Sequence, residues 1–252
     1  MKEHFLCLNE TKTQILVVAP PGVKERILIG GVILDNCCIR FVDSAKNLGV
    51  MLDSVLSFES QINKVFKSSL NTIRNLSKVK MYLSQLQLQT LVSSLIFSLL
   101  DYCNSLYYGL PVSSIKKLQR VQNCAARLVM KNRVSFRSSL DGVFLKLHWL
   151  KVKFRIIYKI ILVVHNCLHD KAPNEVAALV RYSDSERTMN LIETRVRGST
   201  YGDRAFSHVA PKLWNLVPPK IRDKHDTLEF KKLLKSFLMT RGEEFIRWTK
   251  IR

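Results

Sequence analysis

The chain has 252 residues, enough for one large domain or two small ones with a buried core. Apolar residues make up 47% of it and charged residues 24%, which is typical of globular proteins. The 40 lysines and arginines outnumber the 20 acidic residues, for a net charge of +20, and the whole excess lies after residue 58. A positive charge of this size favours a polyanionic partner, with nucleic acid as the first candidate and an anionic membrane as the second. Many ordinary solvated surfaces are also rich in lysine.

Neither the cysteines nor the N-terminus indicate secretion. Three of the six cysteines lie in strongly apolar segments, where a free thiol behaves as a small hydrophobe, and a reducing compartment is the simpler interpretation. The start "MKEHFLCLNE" lacks a signal peptide, and the longest apolar stretch, from Leu91 to Leu100, is too short to span a bilayer. We therefore expect an intracellular protein, nuclear or cytoplasmic, with no membrane partner.

The first 58 residues predict β-structure. Three segments rich in valine, isoleucine and leucine are separated by turn signals of proline, glycine and asparagine. The predicted strands are 13–19, 26–34 and 39–53, and the turns are Pro20-Pro21-Gly22, Gly30-Gly31 and Asp35-Asn36.

From Glu59 onwards the apolar period becomes helical. A helix is predicted over 60–82, with Ile62, Val65, Phe66, Ile73, Leu76 and Leu83 on one side. On the opposite side a basic row is formed by Lys64, Lys67, Arg74 and Lys78. This row is either a polyanion-binding surface or an ordinary solvated face.

Two further helices follow this basic helix. Ser84 and Gln87 have capping-box spacing and begin a predicted helix over 85–108 that is apolar nearly all round, hence buried. Gly109-Leu110-Pro111 ends it, and Ser113 or Ser114 is expected to cap a third helix over 115–131. Off the apolar stripe of that helix lie Lys116, Lys117, Arg120, Arg127 and Lys131.

The distal half is also predicted to be helical. Helices are expected over 152–169, 204–216 and 227–240, the last opened by Asp226 and Glu229 in capping-box spacing. Residues 181–200 are polar, contain four arginines and predict a mobile loop. The predicted fold class is mainly α with a small N-terminal β portion.

Five motifs, in order, resemble non-LTR (LINE-type) retrotransposon reverse transcriptases of the jockey and chicken-repeat kind. Over residues 8–240 they are "LNETKTQILVV", "KNLGVMLDSVLSFESQI", "SLLDYCNSLYYGLP" with "KLQRVQNCAARLV", "LKLHWLKVKFRIIYKIILVVHNCLH", and "YGDRAFSHVAPKLWNLVPPKIR" with "FKKLLKSFL". The resemblance implies a late-palm and primer-grip β segment over 1–58, a thumb-like basic helical bundle over 59–137, and a distal helical region over 138–252.

The resemblance also implies that the catalytic centre is absent. Reverse transcriptases hold two Mg²⁺ ions on palm carboxylates, two of which come from an Asp-Asp hairpin. This sequence contains no Asp-Asp dipeptide and begins just past where that hairpin is expected, so we predict no enzyme activity and no cofactor. Lys12 matches a lysine near the triphosphate in the family, but without a metal site it is as well explained as a solvent-facing turn residue.

The remaining family features concern nucleic acid. The primer-grip hairpin is expected around Asn47, Leu48 and Gly49, and the thumb is expected to lay a basic helix along a duplex, reading backbone shape and not sequence. Candidate contacts, on the two basic helices, are Lys64, Lys67, Arg74, Lys78, Lys116, Lys117, Arg120 and Arg127. One alternative is a protein–protein interaction or scaffold module, with helix 85–108 covered by a missing domain; the partner is then the missing fingers and palm region or another helical protein. The other alternative is a decayed reading frame with no selected function.

Smaller signals have structural explanations beside functional ones. Tyr102, Tyr107 and Tyr108 either stack on bases or pack at the end of a buried helix, and Trp149 and Trp214 are expected in the core.

His165 and His169 have the spacing of a metal pair but lack a second pair of ligands, so no metal is predicted. Lys151 stands where the family commonly has proline, which predicts that a short helix near 140–150 merges with the next.

Overall fold

The structure, a computed structural model, describes residues 9, 12–27, 31–34, 37–131, 138–182, 190–196 and 201–249. It is mainly helical with a small N-terminal sheet region, as the sequence predicts. The chain divides into two compact units, Met1–Val65 and Phe66–Arg252. The division falls inside a long helix and not at the predicted boundary after residue 58.

The first unit begins with a three-stranded sheet. Strands β1 (Ile15–Leu16), β2 (Gly31–Leu34) and β3 (Cys37–Val42) lie in the order β1-β3-β2. β1 runs parallel to β3, with Ile15 opposite Phe41, and β2 runs antiparallel to β3, with Gly31 opposite Arg40.

Part of the predicted β-structure is helical instead. Helix α1 (Pro21–Ile27) occupies the predicted turn at Pro20-Pro21-Gly22 and the first residues of the strand predicted over 26–34. Pro21 is its first residue, where the fixed φ suits a helix and the missing N–H costs nothing. The prediction was wrong here because a Pro-Gly pair signals both turns and helix starts.

The second part of this unit is a hairpin. Strands β4 (Ser44–Asn47) and β5 (Val50–Asp53) pair antiparallel, with Asn47 opposite Val50. The turn residues Leu48 and Gly49 both have positive φ, 45° and 86°, as a two-residue hairpin turn requires. The strand predicted over 39–53 is therefore three strands, broken at Asp43 and at this turn.

Asp53 joins the hairpin to helix α2 (Glu59–Val79). Its carboxylate accepts hydrogen bonds from the backbone N–H groups of Val55, Ser57 and Phe58, at 3.2, 2.9 and 2.7 Å. Ile62, Val65, Ile73 and Leu76 are buried along α2, and the helix and its apolar side are confirmed.

The helix predicted over 85–108 is broken into shorter pieces. The capping box is confirmed, because Ser84 N–H donates to Gln87 Oε1 at 2.8 Å and Gln87 N–H to Ser84 Oγ at 3.2 Å. Helix α3 (Gln85–Val92) then passes through a π-helical turn over residues 93–97 into helix α4 (Ser98–Asp101). Cys103 has a positive φ of 51°, which ends the helix, and a 3₁₀ turn follows.

Two expectations about helix starts were wrong. Helix α5 (Val112–Val129) begins directly after Pro111, so Ser113 and Ser114 lie inside it and cap nothing. Helix α6 (Asp141–Lys146) does not merge with helix α7 (Val152–Leu168), since Lys151 has the extended backbone (φ −58°, ψ 154°) that separates helices.

Facing stripes of α5 and α7 form the core of the second unit. Leu118, Val121 and Ala125 of α5 are fully buried, and all four isoleucines of α7 are buried. Trp149 packs edge-on against Phe97 at 4.5 Å and Trp214 lies parallel to Phe230 at 5.9 Å, so both tryptophans are core residues, as predicted.

Four helices complete the second unit. They are α8 (Asn174–Ala177), α9 (Phe206–Asn215), α10 (Pro219–Arg222) and α11 (Thr227–Thr249). Asp226 caps α11 by accepting from Glu229 N–H at 2.7 Å, but the Glu229 carboxylate pairs with Lys224 at 2.8 Å and does not complete a capping box.

The loop predicted over 181–200 is anchored where the structure describes it. Asn215 of α9 accepts from Leu191 N–H at 2.8 Å and donates to its carbonyl at 2.9 Å, and Leu191 is buried. Pro211 has no N–H for the carbonyl of Ser207, which instead accepts from the Thr194 hydroxyl at 3.1 Å. These contacts tie residues 191 and 194 to α9, and the mobility of the loop stays a prediction. Residues 183–189 and 197–200, with Arg187 and Arg197, lie outside the described residues.

Candidate nucleic-acid interface

Carboxylates are almost absent from the central third of the chain. Residues 60–140 contain 12 lysines and arginines and one acidic residue, Asp101. Asp101 is already paired: Arg155 of α7 donates from Nε to its Oδ1 at 2.7 Å and from Nη2 to its Oδ2. The lysines and arginines of residues 60–140 therefore have no unpaired carboxylate within the same stretch of sequence.

The predicted basic row of α2 lies on the protein surface. Its four side chains, Lys64, Lys67, Arg74 and Lys78, are exposed and form no ion pair with any other described residue. Fourteen residues at 1.5 Å each make the row about 21 Å long. A duplex carries one charge per 1.7 Å of axis, so the row can follow on the order of a dozen phosphates.

Helix α5 contributes fewer free cations than its sequence suggests. Lys116 and Arg120 are exposed, whereas Lys117 is half-buried with its ammonium 5.3 Å from the centre of the Phe66 ring on α2. Arg127 is also half-buried, and its Nε has no contact with solvent. Lys117 therefore links α5 to α2. Of the predicted nucleic-acid contacts on α5, only Lys116 and Arg120 are exposed.

The residues carried over from the family lie in the first unit. Lys12 is exposed beside a local turn, in which its backbone N–H donates to the Asn9 carbonyl at 3.1 Å. Asn47, Leu48 and Gly49 are exposed at the tip of the β4–β5 hairpin, so the predicted hairpin exists at this position. Its role in gripping a primer stays a prediction.

The tyrosines divide between packing and exposure. Tyr107 is buried, Tyr102 is about half exposed, and burial raises the pKa of Tyr108 to about 12. Tyr108 lines a groove of about 350 Å³ between the start of α5 and the start of α7. Sequence reasoning missed this groove, because its two walls are about forty residues apart and no local pattern pairs them.

Three histidines, one on α7 and two outside it, form a packed ring cluster. His165 is fully buried, stacks on Phe230 at 4.0 Å, and its Nε2 lies 2.9 Å from the carbonyl oxygen of Lys224, to which it donates. His169 lies between His165 and His225, at 4.3 and 4.9 Å between ring centres. Within the described ranges, no group of three histidine, cysteine or acidic side chains has the arrangement of a metal site.

Comparisons with known proteins identify no relative. No protein-family model, curated protein or solved structure matches the chain. Among the helices that the structure describes, none combines the length and apolarity needed to cross a membrane.

Proposed function

We propose that this chain binds the backbone of a nucleic-acid duplex, independently of sequence, through the exposed basic residues of α2 and α5. The observation that carries the proposal is a set of six exposed cations without ion pairs among the described residues, in a stretch whose one carboxylate is bound to Arg155. The set is Lys64, Lys67, Arg74, Lys78, Lys116 and Arg120. Ammonium and guanidinium groups in such a row bind phosphates by charge and release condensed counterions.

The resemblance to non-LTR retrotransposon reverse transcriptases supports a primer–template-like duplex as the ligand. In that family, the matching helices belong to the thumb and to the region after it. The sequence contains no Asp-Asp pair to hold catalytic magnesium, so the proposal for this chain by itself is binding without polymerisation.

The test is charge reversal of the α2 row, in the variant K64E/K67E/R74E/K78E. The control, K146E/K159E/K220E/K232E, makes the same change in net charge at exposed lysines of other helices. Affinity is measured by fluorescence anisotropy with RNA–DNA duplexes of two unrelated sequences, over a series of salt concentrations.

We expect the α2 variant to lose at least about thirtyfold in affinity for both duplexes, and its salt slope to fall by about 3.6, at 0.9 for each of four lost phosphate contacts. The control should lose only a few-fold. Equal losses in both variants would show that the +20 charge alone attracts nucleic acid, and would overturn the proposed interface.

The protein–protein alternative expected the segment 85–108 to need an external cover. Leu88, Val92, Ile96 and Leu100 are buried within the second unit, whereas Leu86, Leu95 and Leu106 are exposed, so the segment is covered on one side only. A different observation, the groove beside Tyr108, supports a protein partner on separate grounds.

A further inference from the structure

The groove beside Tyr108 has an apolar floor. Its apolar lining includes Val112 and Ile115 of α5, Ile156 and Ile157 of α7, and Tyr108. Val112 is 50% exposed and Ile115 is only partly buried, so apolar surface remains open to solvent. Its volume of about 350 Å³ suits a few apolar side chains or one small ligand.

The edge of the groove is cationic. Lys116, Lys151 and Lys153 line it, and Glu243 of α11 is the one carboxylate among its lining residues. Glu243 binds Lys153 at 2.6 Å and Lys151 at 3.4 Å, and Lys151 is also paired with Asp141 at 2.8 Å, whereas Lys116 has no ion pair within the described chain. The Glu243 side chain is 58% exposed, so an incoming carboxylate can replace it on Lys153 without unfolding the helix.

We propose that this groove docks an acidic amphipathic segment of a partner protein, with aliphatic anchors on the floor and carboxylates on Lys116 and Lys153. Aliphatic walls favour leucine- or isoleucine-like side chains over the flat, polar edges of a nucleobase. The lysines at the edge favour carboxylates next to those anchors. A helix with anchors at i, i+4 and i+7 meets both requirements.

The proposal is independent of nucleic-acid binding. It needs the groove and its lysines, whereas the proposed duplex surface needs mainly the exposed row on α2. Lys116 is the one residue that both surfaces use, so the decisive substitutions avoid it.

The probe is a fluorescein-labelled peptide of about 14 residues, with leucines at i, i+4 and i+7 and glutamates at most other positions. Two control peptides have the leucines scrambled or the glutamates replaced by lysine. Anisotropy titrations use the full-length chain. Hydrogen exchange then locates the peptide, with slowed amides expected in 107–116 and 152–157.

The first variant, Val112→Asp, blocks the floor. Val112 is the first residue of α5, where an aspartate is favourable to the helix dipole, so folding should be retained. The control is Leu86→Asp, at another exposed aliphatic residue in the first turn of a helix, α3, whose exposed fraction is 72% against 50% for Val112. We expect Val112→Asp to weaken binding of the acidic peptide about tenfold and Leu86→Asp by less than twofold.

The second variant changes the cationic edge of the groove and is expected to strengthen peptide binding, whereas the first weakens it. Glu243→Gln frees Lys153, while Lys151 keeps its ion pair with Asp141 at 2.8 Å. We therefore expect binding of the acidic peptide to tighten about threefold and binding of the lysine peptide to stay undetectable. A purely structural role for Glu243 predicts weaker binding instead.

Three results would overturn the proposal: no binding of the acidic peptide, equal binding of the scrambled peptide, or protected amides outside both segments. A fourth would assign the groove to nucleic acid, namely a loss of duplex affinity in Val112→Asp that Leu86→Asp does not share. Loss of duplex binding in the α2 variant bears only on the proposed function, because that variant leaves the groove intact.

Discussion

At the scale of single residues, Asp53 shows how one side chain positions a long helix. Its carboxylate fixes the turn before α2 by accepting three backbone hydrogen bonds and one from the Ser57 hydroxyl, at 3.1 Å. Partial burial acts to raise the pKa of Asp53, but the hydrogen bonds from Ser57, Phe58 and Val55 outweigh burial and lower the pKa. The folded first unit therefore prefers the ionised form.

Replacing this carboxylate should destabilise the first unit in a pH-dependent way. We expect Asp53→Ala to lower its free energy of unfolding by about 1–2 kcal/mol at neutral pH, as for other helix-capping residues. Because the folded pKa lies below the unfolded one, the contribution of Asp53 is present above the unfolded pKa near 3.8 and lost as the pH falls through the folded value.

The measurement is hydrogen exchange of the β4–β5 amides across this pH range. Asp53→Asn keeps an acceptor oxygen, so it should cost less than alanine and abolish the pH dependence. An unchanged pH profile in Asp53→Asn would show that the titration belongs to another group.

At the scale of elements, the contact between α11 and α7 depends on a glycine. A Cβ at Gly242 of α11 would lie 2.7 Å from two ring atoms of the buried Phe154 of α7. Since real Cβ atoms do not approach so closely, a side chain here must displace the ring or the helix. Gly142 of α6 has open space around the same position.

Alanine substitutions at these two glycines should have opposite effects. We expect Gly242→Ala to lower the free energy of unfolding by about 1–3 kcal/mol through steric strain, and Gly142→Ala to raise it by up to about 1 kcal/mol through helix propensity. Urea unfolding followed by circular dichroism measures both. Phe154→Leu should partly rescue Gly242→Ala, and a rescue of zero would place the strain elsewhere.

How far the sequence predicts these elements depends on whether its signals are local. Periodicity and capping residues identified α2, α7 and the start of α3, because amphipathic faces and capping boxes are local patterns. The end of the helix predicted over 85–108 depends on a π-helical turn and on the backbone of Cys103, neither of which has a distinct residue pattern. The groove was missed because it forms only when residues 108–119 meet residues 151–157.

At the scale of the second unit, the histidine cluster links stability to pH. Burial is the main cause that lowers the pKa of His165, against a hydrogen bond to Lys224 that raises it, and burial also lowers the pKa of His169. Both rings are therefore neutral in the folded protein over a range where the unfolded chain takes up protons.

Acidification should weaken this unit before any carboxylate titrates. As the pH falls below the unfolded value of 6.5, the fully buried His165 can contribute a slope of up to about 1.4 kcal/mol per pH unit, and the more accessible His169 contributes less. Thermal unfolding between pH 7.5 and 5 checks this expectation. His165→Gln keeps a donor for the Lys224 carbonyl and should reduce the slope, whereas His148→Gln, at an exposed position, should leave it unchanged.

The scarcity of carboxylates between residues 60 and 140 has a practical consequence for proteolysis. Trypsin cleaves after lysine and arginine, so this stretch offers it 12 sites, whereas an enzyme that cleaves at acidic residues finds only Asp101. A ligand on the basic surface covers cleavage points of the first protease and leaves the second unaffected. The ratio of the two digestion rates then gives an occupancy signal, without labels, for any polyanion added to the protein.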